Sequence, residues 1–481
     1  MSGCGSNDCC AANTASSALH IAIIGSGSAA FACAIAATER GARVTLIESA
    51  EVIGGCCVNV GCVPSKAMIQ AARLAQWQRH NPFEGLADHP PQIDHGLLTR
   101  QRQRLVDSLR AVKYEQILAD NPALSLVRGR ASFLEPGVLQ VRAPDGTAQR
   151  IEADRVLIAT GSRPAIPAIP GLRDTPFWTS TDALFSQICP RHLLVIGSSV
   201  VAVELAQAWR RLGAAVTVLA RHRLLYREDP ALGEGLRQVF EEEGIEVIEQ
   251  AGVSAVSWQD ERFRLSTRMG VVEGDRLLVA AGRRANTDDL ALDAVGIATR
   301  ADGAIPVDDR LQTSTPNIYA AGDCADLPKY VYVAAAAGTR AGIHMTGGEA
   351  HLDLTVLPAV IFTDPQVATV GLDERRAQAQ GIETDSRQLA LAHVPRAQAN
   401  GDTRGFIKLV AEAGSGRLLG AQVLASEGGE IIQSAALALT NGMTVEAMAN
   451  ALYPYLTMVE GLKLCAQTFS RDVSQLSCCA G

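Results

Sequence analysis

The hydrophobic pattern divides the chain into two similar blocks and a third stretch of different character. From Leu19 to Ser49 it reads LHIAIIGSGSAAFACAIAATERGARVTLIES. A short apolar run, a Gly-rich turn, a small-residue helix and a second apolar run ending at Glu48 predict strand, turn, helix, strand. The same order returns from His192 to Asp229, where the second run ends Leu219-Ala220-Arg221-His222-Arg223. From about His351 the pattern becomes β-rich and mixed. Residues 1–18 are rich in Ser, Ala, Gly and Asn, carry Cys4, Cys9 and Cys10, and predict a disordered tail. Residues 471–481 predict a mobile tail ending in Cys478-Cys479-Ala480-Gly481. No apolar run approaches the ~18 residues needed to cross a bilayer, so no membrane span is expected.

Both turns carry small residues at the spacing that cradles a pyrophosphate. In the first, Gly25 permits the tight turn, Gly27 lets the phosphates approach, and Ala30 lets helix pack on strand. Glu48 lies where an acid takes the ribose hydroxyls. In the second, Gly197, Ser199 and Ala202 hold the small positions, and Glu204 follows in the helix. No acid occupies the ribose position there. Arg221 and Arg223 lie beside it, and arginine suits a 2′-phosphate, so NADPH is favoured over NADH. The fold class expected is α/β, with two Rossmann-like dinucleotide-binding domains and an α+β domain after them.

Composition narrows the functional classes. The chain has 481 residues, 47% apolar and 4% aromatic, and a net charge of −8. That length suits two or three domains, and the acidic balance without a basic run argues against nucleic-acid binding. The twelve cysteines, with no leader-like N-terminus, are read as catalytic or metal-binding thiols in a reducing, cytoplasmic compartment. Cys33, Cys189, Cys324 and Cys465 sit singly in apolar segments and are read as core.

The chemistry concentrates in GGCCVNVGCVPSK, Gly54 to Lys66. Cys57 and Cys62 stand five apart at the expected start of a helix, whose free N–H groups stabilise a thiolate. Such a pair is a redox centre rather than a staple. Cys56 adds a third thiol, and the sequence leaves open which of the three pair.

This segment resembles the redox-active disulfide of the pyridine nucleotide–disulfide oxidoreductases, whose usual pattern is GGTCxxxGCxPSK; Cys56 replaces the threonine. Ile158-Ala159-Thr160-Gly161-Ser162, Ala280-Ala281-Gly282-Arg283-Arg284 and Tyr319-Ala320-Ala321-Gly322-Asp323 are similar to further motifs of that family. The resemblance implies FAD on the first nucleotide fold (19–160 and 285–350), NADPH on the second (161–284) and a dimerisation domain at 351–470. It places Gly55, Cys56, Thr160, Gly161, Asp323, Val331 and Gly282 among the cofactor contacts. It also implies a Cys57–Cys62 disulfide with Cys62 against the flavin, Cys57 towards the substrate, and Lys66 paired with Glu204.

Disulfide-reducing members supply a proton through a histidine near the C-terminus. Here the matching stretch is Pro454-Tyr455-Leu456-Thr457-Met458-Val459-Glu460, and Tyr455 stands at the histidine position. With the terminal Cys478-Cys479 pair, this resembles the mercury-reducing branch of the family. That branch implies Hg(II) as substrate, delivered as a thiol complex, with Tyr455 and Tyr114 flanking the metal. It implies a homodimer whose sites are shared, each tail serving its partner. The GMTCxxC metal-binding module common in that branch is not found in this sequence.

Overall fold

The computed structural model describes residues 18–472 and groups them into two compact units. The first comprises residues up to 55, 113–161 and 285–352. Its centre is a five-stranded parallel sheet in the order Ile318–Ala320, Arg155–Ile158, β1 (His20–Ile24), β2 (Arg43–Glu48), Leu124–Arg128. All five β1 residues are buried, as a sheet covered on both faces requires. The first helix, α1 (Ser28–Thr38), follows β1 and packs on helix Val331–Met345. The two backbones approach closely: a Cβ on Gly338 would lie 2.1 Å from the Ala29 carbonyl oxygen. An antiparallel sheet of Arg130–Glu135, Val138–Arg142 and Ala148–Glu152 completes the unit.

The second unit comprises residues 56–112, 162–284 and those from 353 onward. It contains the second parallel sheet, in the order Ile245–Ile248, Ala215–Leu219, His192–Ile196, Arg276–Val279. Helices Val200–Arg211 and Pro230–Glu242 cover it, with Trp209 and Phe240 fully buried. The β-rich stretch after His351 is a five-stranded antiparallel sheet in the order Ala359–Ile361, Gln366–Gly371, Leu418–Ala425, Phe406–Glu412, Thr384–Ala390. Every residue of Leu418–Ala425 is buried, because helix Gly428–Thr440 packs on the sheet. The expected α/β architecture with an α+β domain is observed.

Buried charge ties the two sheets of this second unit. Arg211 reaches Glu243 Oε1 at 2.5 Å and Asp364 Oδ2 at 2.7 Å, all three groups nearly inaccessible to solvent. Gln207 donates to the Asp364 carbonyl at 2.9 Å and accepts from the Asp364 N–H at 2.8 Å. A buried guanidinium in such a web is held by fixed geometry, and removing one partner would strand a charge.

Two helices carry the redox segment, which belongs to this unit from Cys56 on. Gly55–Val60 forms a short helix, α2, and Cys62–Arg79 forms α3. The sequence placed both cysteines at one helix start. Instead Gly61 interrupts the helix with φ −126° and ψ −114°, so Cys57 lies inside α2 and Cys62 opens α3. Only glycine fits at the break, since a Cβ on Gly61 would lie 2.9 Å from the Cys56 carbonyl oxygen and 3.2 Å from the Cys57 Cα.

No helix among the described residues is long and apolar enough to cross a membrane. Cys33, Cys324 and Cys465 are fully buried and Cys189 is partly so. Cys4, Cys9, Cys10, Cys478 and Cys479 lie outside the described residues.

Candidate active site

The dithiol is the most polarised thiol pair among the described residues. A hydrogen bond from Cys57, followed by the nearby Lys66 charge, pulls the Cys62 thiol down to about 7 against the cost of burial. The same hydrogen bond and burial push Cys57 strongly upward. Cys62 is therefore the thiolate and Cys57 keeps the shared proton. The sequence explains the asymmetry: Cys62 is the first residue of α3, where unpaired N–H groups favour an anion.

Lys66 lies one turn further along α3. Its Nζ stands 2.8 Å from Glu204 Oε2 and 4.5 Å above the Phe362 ring. Glu204 is 4% exposed, and its Oε1 accepts the Phe362 N–H at 2.9 Å. Phe362 was not among the expected site residues, because a backbone N–H aimed at a carboxylate 158 positions away leaves no local signature. Cys56 is exposed, and Arg283 Nη2 donates to its sulfur at 3.7 Å while also holding Ser162.

The first nucleotide turn has the geometry its residues promise. Gly25 adopts φ +112°, and a Cβ there would lie 2.3 Å from the Ala159 carbonyl oxygen. At Gly27 a Cβ would meet only the Gly55 Cα, at 3.7 Å, and Ala30 is fully buried. Glu48 is fixed at the end of β2 by Ser26 Oγ at 2.6 Å and the Ala50 N–H at 2.7 Å. Gly161 has φ +68°, with open space where a side chain would be. Thr160 Oγ1 is buried without a hydrogen-bond partner among the described residues. Asp323 follows Gly322, which has φ +80°, and Val331 opens helix Val331–Met345. An open phosphate turn, an orphaned hydroxyl and an acid at the ribose position fit a flavin dinucleotide.

The second turn is built alike. Gly197 adopts φ +138°, a Cβ there would lie 2.3 Å from the Ala280 carbonyl oxygen, and Ser199 precedes helix Val200–Arg211. Gly282 has φ +130° and open space around it. The two arginines diverge. Arg221 is exposed, whereas Arg223 Nη2 donates to the carbonyls of Tyr226 at 3.3 Å and Glu228 at 3.0 Å. Arg223 thus shapes its own loop, and Arg221 is the guanidinium presented outward.

Tyr455 is 52% exposed, in an irregular stretch held by Glu460, whose Oε2 accepts the Leu456 N–H at 3.2 Å. Thr457 Oγ1 donates to the Pro454 carbonyl at 2.8 Å. Tyr114 belongs to the first unit, where it sits in a π-helical turn, Ala111–Glu115, edge-on to Phe31 with ring centroids 4.9 Å apart.

Known proteins with this arrangement agree with one another. The family described as pyridine nucleotide-disulphide oxidoreductase matches residues 19–338, and its dimerisation domain matches 357–466. Mercuric reductase of Shewanella putrefaciens is 62% identical over 480 residues, covering 99% of this chain and 86% of that protein. Mercuric reductase of Streptomyces lividans is 45% identical over 468 residues, 96% of this chain and 98% of that protein. Among solved structures, the HOCl-induced flavoprotein disulfide reductase RclA of Escherichia coli, as a Cu(II) complex, superposes with a TM-score of 0.85. It is 27% identical, with 94% of this chain and all of that chain covered. Site geometry and relatives together show that the chain belongs to the pyridine nucleotide–disulfide oxidoreductases, among their mercuric reductases.

Proposed function

We infer that the protein reduces Hg(II) to Hg(0) with NADPH, using FAD and the Cys57/Cys62 dithiol. The observation that carries the reading is the polarised dithiol, with Cys62 drawn down to about 7 at a helix start, in a chain whose relatives are mercuric reductases. FAD would be held by Gly25, Gly27, Ala30, Glu48, Gly55, Cys56, Thr160, Gly161, Asp323 and Val331, and when bound it relays two electrons from NADPH. NADPH would be held by Gly197, Ser199, Arg221 and Gly282. The functional domains are 19–160 with 285–350 for FAD, 161–284 for NADPH, and 351–470 for dimerisation.

The chain's own residues do the rest. Thiolates are the ligands of choice for a soft cation, and the Cys62 thiolate is available at neutral pH. Lys66, anchored by Glu204, sustains that negative charge. Cys57 donates its proton to the departing thiol as it takes the metal. Once Hg(II) has gained two electrons it is a neutral atom, and thiolates no longer hold it. Tyr455 and Tyr114 would flank the metal, as the resemblance implies. The reaction is cytoplasmic, where thiols stay reduced. In the homodimer Cys478 and Cys479 of one chain would pass thiol-bound Hg(II) to the dithiol of the other.

The test is NADPH oxidation by the purified protein, with HgCl2 plus excess small thiol set against oxidised glutathione and lipoamide. Mercury-dependent oxidation with release of volatile Hg(0) supports the reading. Rapid disulfide turnover with mercury acting only as inhibitor overturns it. The double substitution Cys478→Ala/Cys479→Ala should impair turnover of thiol-bound Hg(II) and leave reduction of bound flavin by NADPH normal. Unimpaired turnover would remove the tail from the mechanism.

A further inference from the structure

Between the two redox cysteines the chain makes an arch, and a side chain from outside the motif reaches it. Asn59 Oδ1 accepts a hydrogen bond from Arg110 Nη1 at 3.0 Å. Arg110 is the last residue of helix α4 (His95–Arg110), which packs on α3 and is capped at its start by Asp94. Its guanidinium is 16% exposed and is itself fixed, because Nη2 donates to Asp107 Oδ1 at 2.8 Å. That carboxylate oxygen also accepts from Gln103 Nε2 at 2.9 Å. The far end of the arch is closed separately. Gly61 lies against the backbone of Cys56 and Cys57, and its carbonyl accepts the Ser65 N–H at 3.0 Å. Cys62 opens α3, and the short α2 carries Cys57 and Asn59 together.

We propose that Arg110 is a positioning residue that holds Cys57 over Cys62 through Asn59, and thereby sets the balance between the disulfide and the dithiol. The proposal rests on Cys57 and Cys62 being the redox pair. A loop that is loose when reduced must lose freedom to close its disulfide, whereas a loop already tied loses little. The tie therefore favours the closed form. The equilibrium is the exchange of both thiols with glutathione disulfide. Cys57 and Cys62 lose two protons and two electrons as their S–S bond forms, and one S–S bond breaks to give two glutathione thiols.

The flavin-loaded protein is equilibrated in glutathione buffers of graded composition. Free thiols are alkylated, and the peptide ending at Lys66 is weighed and sequenced. Arg110→Ala and Asn59→Ala should each shift the equilibrium about tenfold towards the dithiol, ~30 mV for a two-electron couple. The double variant should shift little further than either single one, because each removes the bond that the two residues share. Arg110→Lys, which keeps a donor, should recover part of the shift. Equilibria within twofold of the parent in both single variants, or shifts that add in the double, overturn the proposal even if melting temperatures fall. A parent peptide with Cys56 rather than Cys57 bonded to Cys62 would instead overturn the assignment of the pair.

Discussion

The two glycine-rich turns share a backbone and differ in what they present. Gly25 and Gly197 both hold a left-handed φ against the carbonyl oxygen of the residue that follows the neighbouring strand, Ala159 in one and Ala280 in the other, at the same 2.3 Å to a built Cβ. Past that point they part. The first fixes an acid, Glu48, at its second strand end through Ser26. The second leaves Ala220 there and turns Arg221 outward. The lesson is that the pyrophosphate is read by main chain, which cannot discriminate, and the ribose by one or two side chains, which can.

The largest break in this comparison should come from Gly25→Val set beside Gly197→Val. A β-branched residue at that φ, with a clash besides, costs roughly 3 kcal/mol, or about 100-fold in occupancy. The first variant should purify nearly colourless. The second should stay yellow yet resist reduction by NADPH. Loss of colour in both would mean that the two turns do not serve separate dinucleotides.

Next in size is the contrast between Arg221 and Arg223. Removing a hydrogen bond to a charged group costs ~1.5–3 kcal/mol, so Arg221→Ala should lower kcat/KM for NADPH by about 10- to 100-fold and leave NADH unaffected. Arg223→Ala removes a support of its own loop and should weaken both dinucleotides alike. A selective NADPH defect confined to Arg223→Ala would reverse the assignment.

The smallest effect sharpens a further difference: only the second turn's helix carries a carboxylate, Glu204, that bears on the dithiol. The rate of iodoacetamide capture of reduced Cys62 should rise through a midpoint near pH 7, thiolate above and thiol below, as the lowered value of about 7 requires. Lys66→Met removes a favourable charge and should move the midpoint up. Glu204→Gln removes an unfavourable one, since the Glu204 charge raises Cys62, and should move it down. Shifts of the same sign would show that the ion pair acts only as a structural strut.

Much of this was legible in the chain because it is local. Gly25, Gly27 and Ala30 announce a turn between an apolar run and a small-residue helix, and GGCCVNVGCVPSK announces a dithiol. Other features depend on where distant segments fold. The sequence offered one helix start for the motif, whereas Gly61, at φ −126° and ψ −114°, splits it into two helices. It treated Arg221 and Arg223 alike, when Arg223 Nη2 is held by backbone carbonyls of its own loop. Phe362 and Arg110 reach the site from other elements, through a main-chain N–H and a helix C-terminus, and neither has a signature of its own.

Helix Val200–Arg211 joins Ser199, at the lip of a phosphate turn, to Glu204, which holds Lys66. The two stations lie little more than a helical turn apart on a continuous rod. One residue inserted or deleted between them would rotate Glu204 by about 100° relative to the turn. Drift at this locus is therefore confined to substitution. The length of that short stretch should stay constant among descendants of this chain even where its letters do not.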